Sequence, residues 1–104
     1  MHAIVRRYEA IDQTHINELV NKATESLVPL MGELPGCSSY YLIEAGSGVI
    51  SSVGVFDTAE HAEESTRVAF DWVRQENLET ALPKPPEITT GRVVAHTARE
   101  LVQA

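Results

Sequence analysis

Hydrophobic and polar positions along the chain fall into blocks whose period switches between two residues and about 3.6. Residues 2–9 are a short run with β-branched Ile4 and Val5 and a closing Tyr8, which predicts a first strand. Next, Ile16, Leu19, Val20, Ala23, Leu27 and Leu30 recur at three- and four-residue steps, while Asn17, Glu18, Asn21, Lys22 and Glu25 take the opposite side. That spacing predicts a helix with one apolar stripe laid on a core. Asp12 stands where it caps the free amides, and Ile11 is placed to pack on Ile16 as a staple. Pro29 cannot donate to the carbonyl of Glu25 and crowds it, so the last turn should kink or loosen, with the helix ending between Val28 and Gly32.

Leu34-Pro35-Gly36 reads as a turn, followed by a strand over 38–45 in which Tyr40, Tyr41, Leu42 and Ile43 stand in succession. The turn Gly46-Ser47-Gly48 joins it to a strand over 49–56, with Val49, Val53 and Val55 pointing one way and Ile50 and Phe56 the other. Alternate strand residues face opposite sides, so apolar residues in succession require cover on both. Asp57 and Thr58 open a second helix that runs to Asn77. Counted at about 100° per residue from Ala62, residues Thr66, Ala69 and Val73 define its sheet-facing stripe, and His61, Ser65, Val68 and Trp72 fall together on the flank. Residues 78–82 add a short turn, Pro83-Lys84-Pro85-Pro86 forces an extended crossing, and 88–96 reads as a last strand with Ile88 and Val94 on one face and Val93 and Ala95 on the other. The tail over 97–104 is polar and weakly helical.

Strand, helix, strand, strand, helix, strand is the split βαβ plan of an α+β, ferredoxin-like domain, both helices covering one face of a four-stranded antiparallel sheet. The other apolar face needs a cover, and a second copy in a two-fold dimer is the commonest one. At 104 residues the chain is expected to form a single domain. Its single cysteine, Cys37, excludes an intramolecular disulfide framework and a multi-cysteine metal site, and fits a reducing cytoplasm. A formal charge of -7 without a basic cluster disfavours nucleic acid and anionic membrane surfaces. The apolar runs are too short to span a bilayer, and apolar residues precede the pair Arg6-Arg7, the reverse of a signal peptide, so a cytoplasmic protein is expected.

Val5-Arg6-Arg7-Tyr8, the run Leu34-Pro35-Gly36-Cys37 with Tyr40 three residues on, and Val53, Val55, Phe56 and Asp57 entering an alanine- and glutamate-rich helix together resemble the dimeric α+β barrel proteins. The resemblance is strongest to antibiotic biosynthesis monooxygenase-like members and extends over residues 2–96. It implies a homodimer whose two sheets form a barrel, with a pocket in each subunit between sheet and helices. The activities it implies are cofactor-free oxidation of aromatic polyketides and haem degradation. The haem-degrading branch has an asparagine near the end of the first strand, where this chain has Arg6, and a histidine about ten residues past the helix tryptophan, where it has Leu82. With no imidazole there, no haem and no other cofactor is expected.

Candidate binding residues follow from the faces. Trp72 with His61 and Ser65 at helical spacing suits an aromatic ligand, Trp72 stacking and His61 or Ser65 holding a hydroxyl or carbonyl; the alternative has Trp72 in packing and His61 in water. Tyr40 and Tyr41 face opposite sides, so at most one lines a given pocket. Arg6 and Arg92 each put a charge on a strand covered on both faces and need a partner, Glu44, a ligand carboxylate or an interface salt bridge. His2 and His96 lie at strand ends without further ligands, and no metal is assigned. Two functions remain open: a cofactor-independent monooxygenase acting on a small apolar or aromatic molecule, and a non-catalytic ligand-binding or assembly module of the same fold.

Overall fold

The computed structural model describes residues 1–97. In chain order the elements are β1 (His2–Tyr8), α1 (Gln13–Lys22), a π-helical turn (Ala23–Leu27), α2 (Val28–Gly32), β2 (Cys37–Gly46), β3 (Val49–Phe56), α3 (Ala59–Gln75) and β4 (Glu87–Arg92). The four strands form one antiparallel sheet in the order β2-β3-β1-β4, the ferredoxin-like plan the order of elements predicts.

Asp12 caps α1 by accepting from the Thr14 amide at 2.9 Å. Its neighbour Ile11 donates to the Gly48 carbonyl at 3.0 Å, which ties the helix entry to the β2–β3 turn. Only glycine suits position 48: φ is +75°, and a Cβ there would stand 2.6 Å from the Ile11 carbonyl oxygen.

The loosening expected from Pro29 takes a definite form. The chain widens into one π-helical turn over Ala23–Leu27 and then resumes as α2, with Pro29 in its first turn. Pro29 offers no N–H to the preceding turn, and the widening, in which the Val28 amide bonds to the Ala23 carbonyl, is how the continuous helical run accommodates it. The helical run reaches Gly32, at the limit of the predicted range, and its last turn buries Met31.

Both helical layers lie on one face of the sheet. Ile11, Ile16, Leu19, Ala23, Leu27, Met31, Ile50, Ala69, Trp72 and Leu78 form the main core, and Ile4, Phe56 and Ala62 a smaller one. The opposite face is built from Ala3 and Val5 of β1, Tyr41 and Ile43 of β2, and Val53 and Val55 of β3. Val5 and Tyr41 flank Val53 in register, and Tyr41 is 59% exposed. This is the second apolar face that the uninterrupted strand pattern requires.

Two boundaries differ from the sequence reading. The last strand ends at Arg92, not at 96, because its neighbour β1 starts at His2, which pairs with Arg92; the Val93 amide then donates to the Met1 carbonyl just outside the strand. Val94 is exposed in consequence. On α3 the buried stripe is Ala62, Ser65, Ala69 and Trp72, rotated from the predicted one, with Thr66 and Val73 half-buried beside it. The tail predicted over 98–104 lies outside the described residues. Among those described, no helix is long and apolar enough to cross a membrane.

Candidate functional site

The side chains of β1 alternate, so Ile4, Arg6 and Tyr8 all point under the helices. Arg6 is therefore a charge in the core, 1% exposed. It sits directly opposite Ser52 of β3, and Ser52 sits opposite Leu42 of β2. Tyr40, two residues before Leu42, leans across Gly54, where an added Cβ would stand 3.3 Å from the ring and 2.8 Å from that of Phe56. Glycine at 54 makes the space these two rings occupy.

One edge of the Arg6 guanidinium is held by α3. Its Nη1 donates to Ser65 Oγ at 3.2 Å and to Thr66 Oγ1 at 3.1 Å, and Ser65 Oγ in turn donates to the Ala62 carbonyl at 2.6 Å. The other edge, Nε and Nη2, has no hydrogen-bond partner among the described residues, and neither have the buried hydroxyls of Tyr40 and Ser52. No carboxylate pairs with Arg6 among the described residues. Such a set is unusual, since buried polar atoms are nearly always hydrogen-bonded.

Arg6, Tyr40 and Ser52 line a cavity of about 30 Å³ between the sheet and the helices, its wall otherwise made by apolar side chains that include Leu19, Leu27, Ile50 and Trp72. Trp72 offers only its ring, for Nε1–H is already bonded to Ser26 Oγ at 2.7 Å. The π-helical turn supplies that partner: Ser26 lies within it, and Ala23 and Leu27 at its two ends line the cavity. Tyr8, Val73 and Leu82 border both this cavity and a larger groove of about 570 Å³ between α3 and the proline segment 83–86. Burial pushes the Tyr8 phenol up from its ordinary 10.0, against the opposing pull of Arg6.

Of the seven candidates read from sequence, the structure brings Arg6, Tyr40 and Trp72 to the cavity. Ser65 stands behind Arg6 as its hydrogen-bond partner, with both roles of its hydroxyl in use. His61 does not line the cavity; its ring pairs with Asp57 at 2.5 Å at the start of α3, which lowers the Asp57 carboxyl below its ordinary range. Tyr41 lies on the outer sheet face, and Arg92 is exposed at the end of β4. Arg6 lacks the Glu44 partner considered for it, because it aligns through Ser52 with Leu42 while the exposed Glu44 aligns with Tyr8, and strand parity turns it inward, away from the outer face. Tyr8 and Ser52 were not singled out, although each shares a period-two face with a residue that was noted, Tyr8 with Arg6 and Ser52 with Ile50. Among the described residues no three of His, Cys, Asp and Glu converge as a metal-ligand set.

The fold and its cavity define a ferredoxin-like domain with a site between sheet and helices. No family model matches the sequence, and no curated protein does. Among solved structures, a protein of unknown function from Nitrosomonas europaea is similar at TM-score 0.77 and 18% identity, over 95% of this chain and 94% of that one. An antibiotic biosynthesis monooxygenase is similar at TM-score 0.72 and 14% identity, over 91% and 100%. The monooxygenase from the gene ActVA-Orf6 of Streptomyces coelicolor, in complex with nanaomycin D, is similar at TM-score 0.70 and 15% identity, over 95% and 92%. The fold is thus the one that antibiotic biosynthesis monooxygenase-like proteins share, as the sequence resemblance implies.

Two outcomes follow from the site. Replacing a buried, uncompensated charge by an apolar side chain of similar volume should raise stability, so Arg6→Met should gain about 1–4 kcal/mol in urea unfolding. The raised Tyr8 pKa favours the protonated phenol in the folded state, so its contribution is complete below pH 10 and disappears as pH climbs from there through the folded value. Unfolding midpoints measured from pH 8 upward should fall, at the alkaline end, more steeply in the wild type than in Tyr8→Phe.

Proposed function

We propose that the protein is a homodimeric, cofactor-independent monooxygenase of the cytoplasm, an oxidoreductase acting on an aromatic molecule with an acidic phenol, enol or anthrone-type CH₂. The unpaired Nε/Nη2 edge of Arg6, on a residue that lines the small apolar cavity together with Tyr40 and Ser52, whose hydroxyls are also unpaired among the described residues, carries this reading. A buried cation favours the anionic form of a bound acid, so the site promotes loss of the substrate proton without a dedicated base. In the anthrone case the resulting carbanion gives its electron pair to O₂, a C–O bond forms, and the hydroperoxide loses water to leave a ketone. The balance is CH₂ + O₂ → C=O + H₂O, with the substrate as the only reductant. Apolar walls exclude water from the reactive anion, and the Trp72 ring orients it.

The cavity of about 30 Å³ admits the reacting oxygen atoms, while the adjoining groove of about 570 Å³ has room for the aromatic body. Tyr8, Val73 and Leu82 border both spaces, and side chains of this shared wall have to turn aside for a ring to enter. The structural likeness to the nanaomycin D-bound monooxygenase supports a ligand of this class. An unpaired thiol at Cys37 suits a reducing compartment. A second copy is the natural cover for the outer face of Val5, Tyr41, Ile43, Val53 and Val55.

One observation favours a non-catalytic binding module instead: no carboxylate or imidazole lines the cavity to act as a base. Oxygen-electrode assays with anthrone-like and quinol substrates separate the two. The enzyme should consume one O₂ per anthrone, and Arg6→Met should lower kcat on the order of 10²–10³-fold, the cost of losing one oxyanion donor. Absence of uptake across the panel returns the binding module. In sedimentation velocity the wild type should run as a dimer and Val53→Glu, a charge at the centre of the outer face, as a monomer; identical sedimentation of the two removes that face as the interface.

A further inference from the structure

We infer that Arg6 holds a small planar oxyanion when no substrate is bound, an ion of the size of formate, nitrate or bicarbonate, gripped side-on by Nε–H and Nη2–H. An uncompensated charge is among the costliest groups a core can enclose, and no described carboxylate offsets this one. Because α3 occupies Nη1 alone, the remaining edge presents two parallel N–H bonds, a fork that matches two oxygens of one ion and that a spherical halide fills poorly. Tyr40 and Ser52 line the same cavity, and their hydroxyls, also buried and without a partner among the described residues, are two further donors.

Size narrows the choice. The cavity of about 30 Å³ is some two to three times the roughly 10–15 Å³ that one water needs, which fits an ion of three or four heavy atoms and not an aromatic ring. Tyr8 is the other candidate counter-charge, but its burial favours the neutral phenol, so the negative charge comes from solution. The inference rests on the geometry of the cavity and not on oxygenation; a substrate oxyanion would have to displace the resting ion.

The test is a pair of ¹H–¹⁵N titrations on the full chain, in buffer free of small carboxylates, with the Arg6 Nε–H resonance identified by its loss in Arg6→Lys. Sodium formate should move that resonance to a plateau in the millimolar range, and sodium bromide at equal ionic strength should move it far less. The double variant Tyr40→Phe/Ser52→Ala keeps the guanidinium and should bind formate about five- to tenfold more weakly, as expected for lost hydrogen bonds. In Arg6→Lys, which keeps the charge without the fork, the single indole N–H, from Trp72, should stop responding to formate. A stationary Nε–H resonance, equal shifts with bromide, or unchanged formate affinity in the double variant overturns the assignment, whether or not Arg6→Lys folds. Absence of oxygen uptake leaves these shifts standing, and silent spectra leave oxygenation to the electrode.

Discussion

The structure turns on a guanidinium enclosed under a helix with only two of its five N–H donors bonded among the described residues. Arg6 enters the core because β1 is an inner strand, paired on both edges and alternating strictly, so its even-numbered residues have nowhere else to point. The helix above accepts it through small residues: Ala62, Ser65 and Ala69 let α3 lie close, and the hydroxyls of Ser65 and Thr66 take one nitrogen. A leucine at 65 would deny the charge both its space and its partner. The fold thus bears a cost in stability at the position where binding needs an unspent cation, the usual relation between stability and a preorganised site.

The other side of the cavity depends on Pro29. A proline inside a helical pattern must be accommodated, and here the preceding turn widens to π geometry so that Pro29 begins the next α segment. That turn presents Ser26 to the Trp72 indole and places Ala23 and Leu27 on the cavity wall. With its N–H satisfied by protein, Trp72 contributes a fixed apolar surface. Polar recognition is left to the sheet, through Arg6, Tyr40 and Ser52, and shape to the helices.

Much of this was legible in the chain. Period-two and 3.6-residue patterns specify the order of elements, and the two-sided apolar strands announce an outer face that needs cover. The inward placement of Arg6 was also available from parity, since it shares a face with Ile4 and Tyr8 and not with Val5. What the pattern could not supply is how α3 is rotated about its axis. A count at about 100° per residue sets relative positions only. Packing against the sheet then brought Ser65 and Trp72 to the centre of the stripe and left His61 at its margin with Asp57. The end of β4 was hidden for a different reason: a strand lasts only as long as its neighbour, and β1 begins at His2. Hydroxyls without partners, as at Tyr40 and Ser52, emerge only when every neighbouring group has a position.

Leu82 joins these observations. In the sequence it marks a departure, a leucine where the haem-degrading proteins that the pattern resembles have a histidine. In the structure it borders both the inner cavity and the outer groove. Its segment is anchored, with Leu78 and Ala81 buried and the Leu82 amide bonded to the Leu78 carbonyl at 3.1 Å. Four residues with three prolines follow directly and stiffen the chain beyond it. Movement at the boundary that Leu82 shares with Tyr8 and Val73 therefore falls to side chains and not to the turn. A single leucine rotamer change is fast and costs little compared with unfolding a turn. A cavity whose shared wall with the groove is made by side chains can open while the backbone that positions Arg6 stays in place.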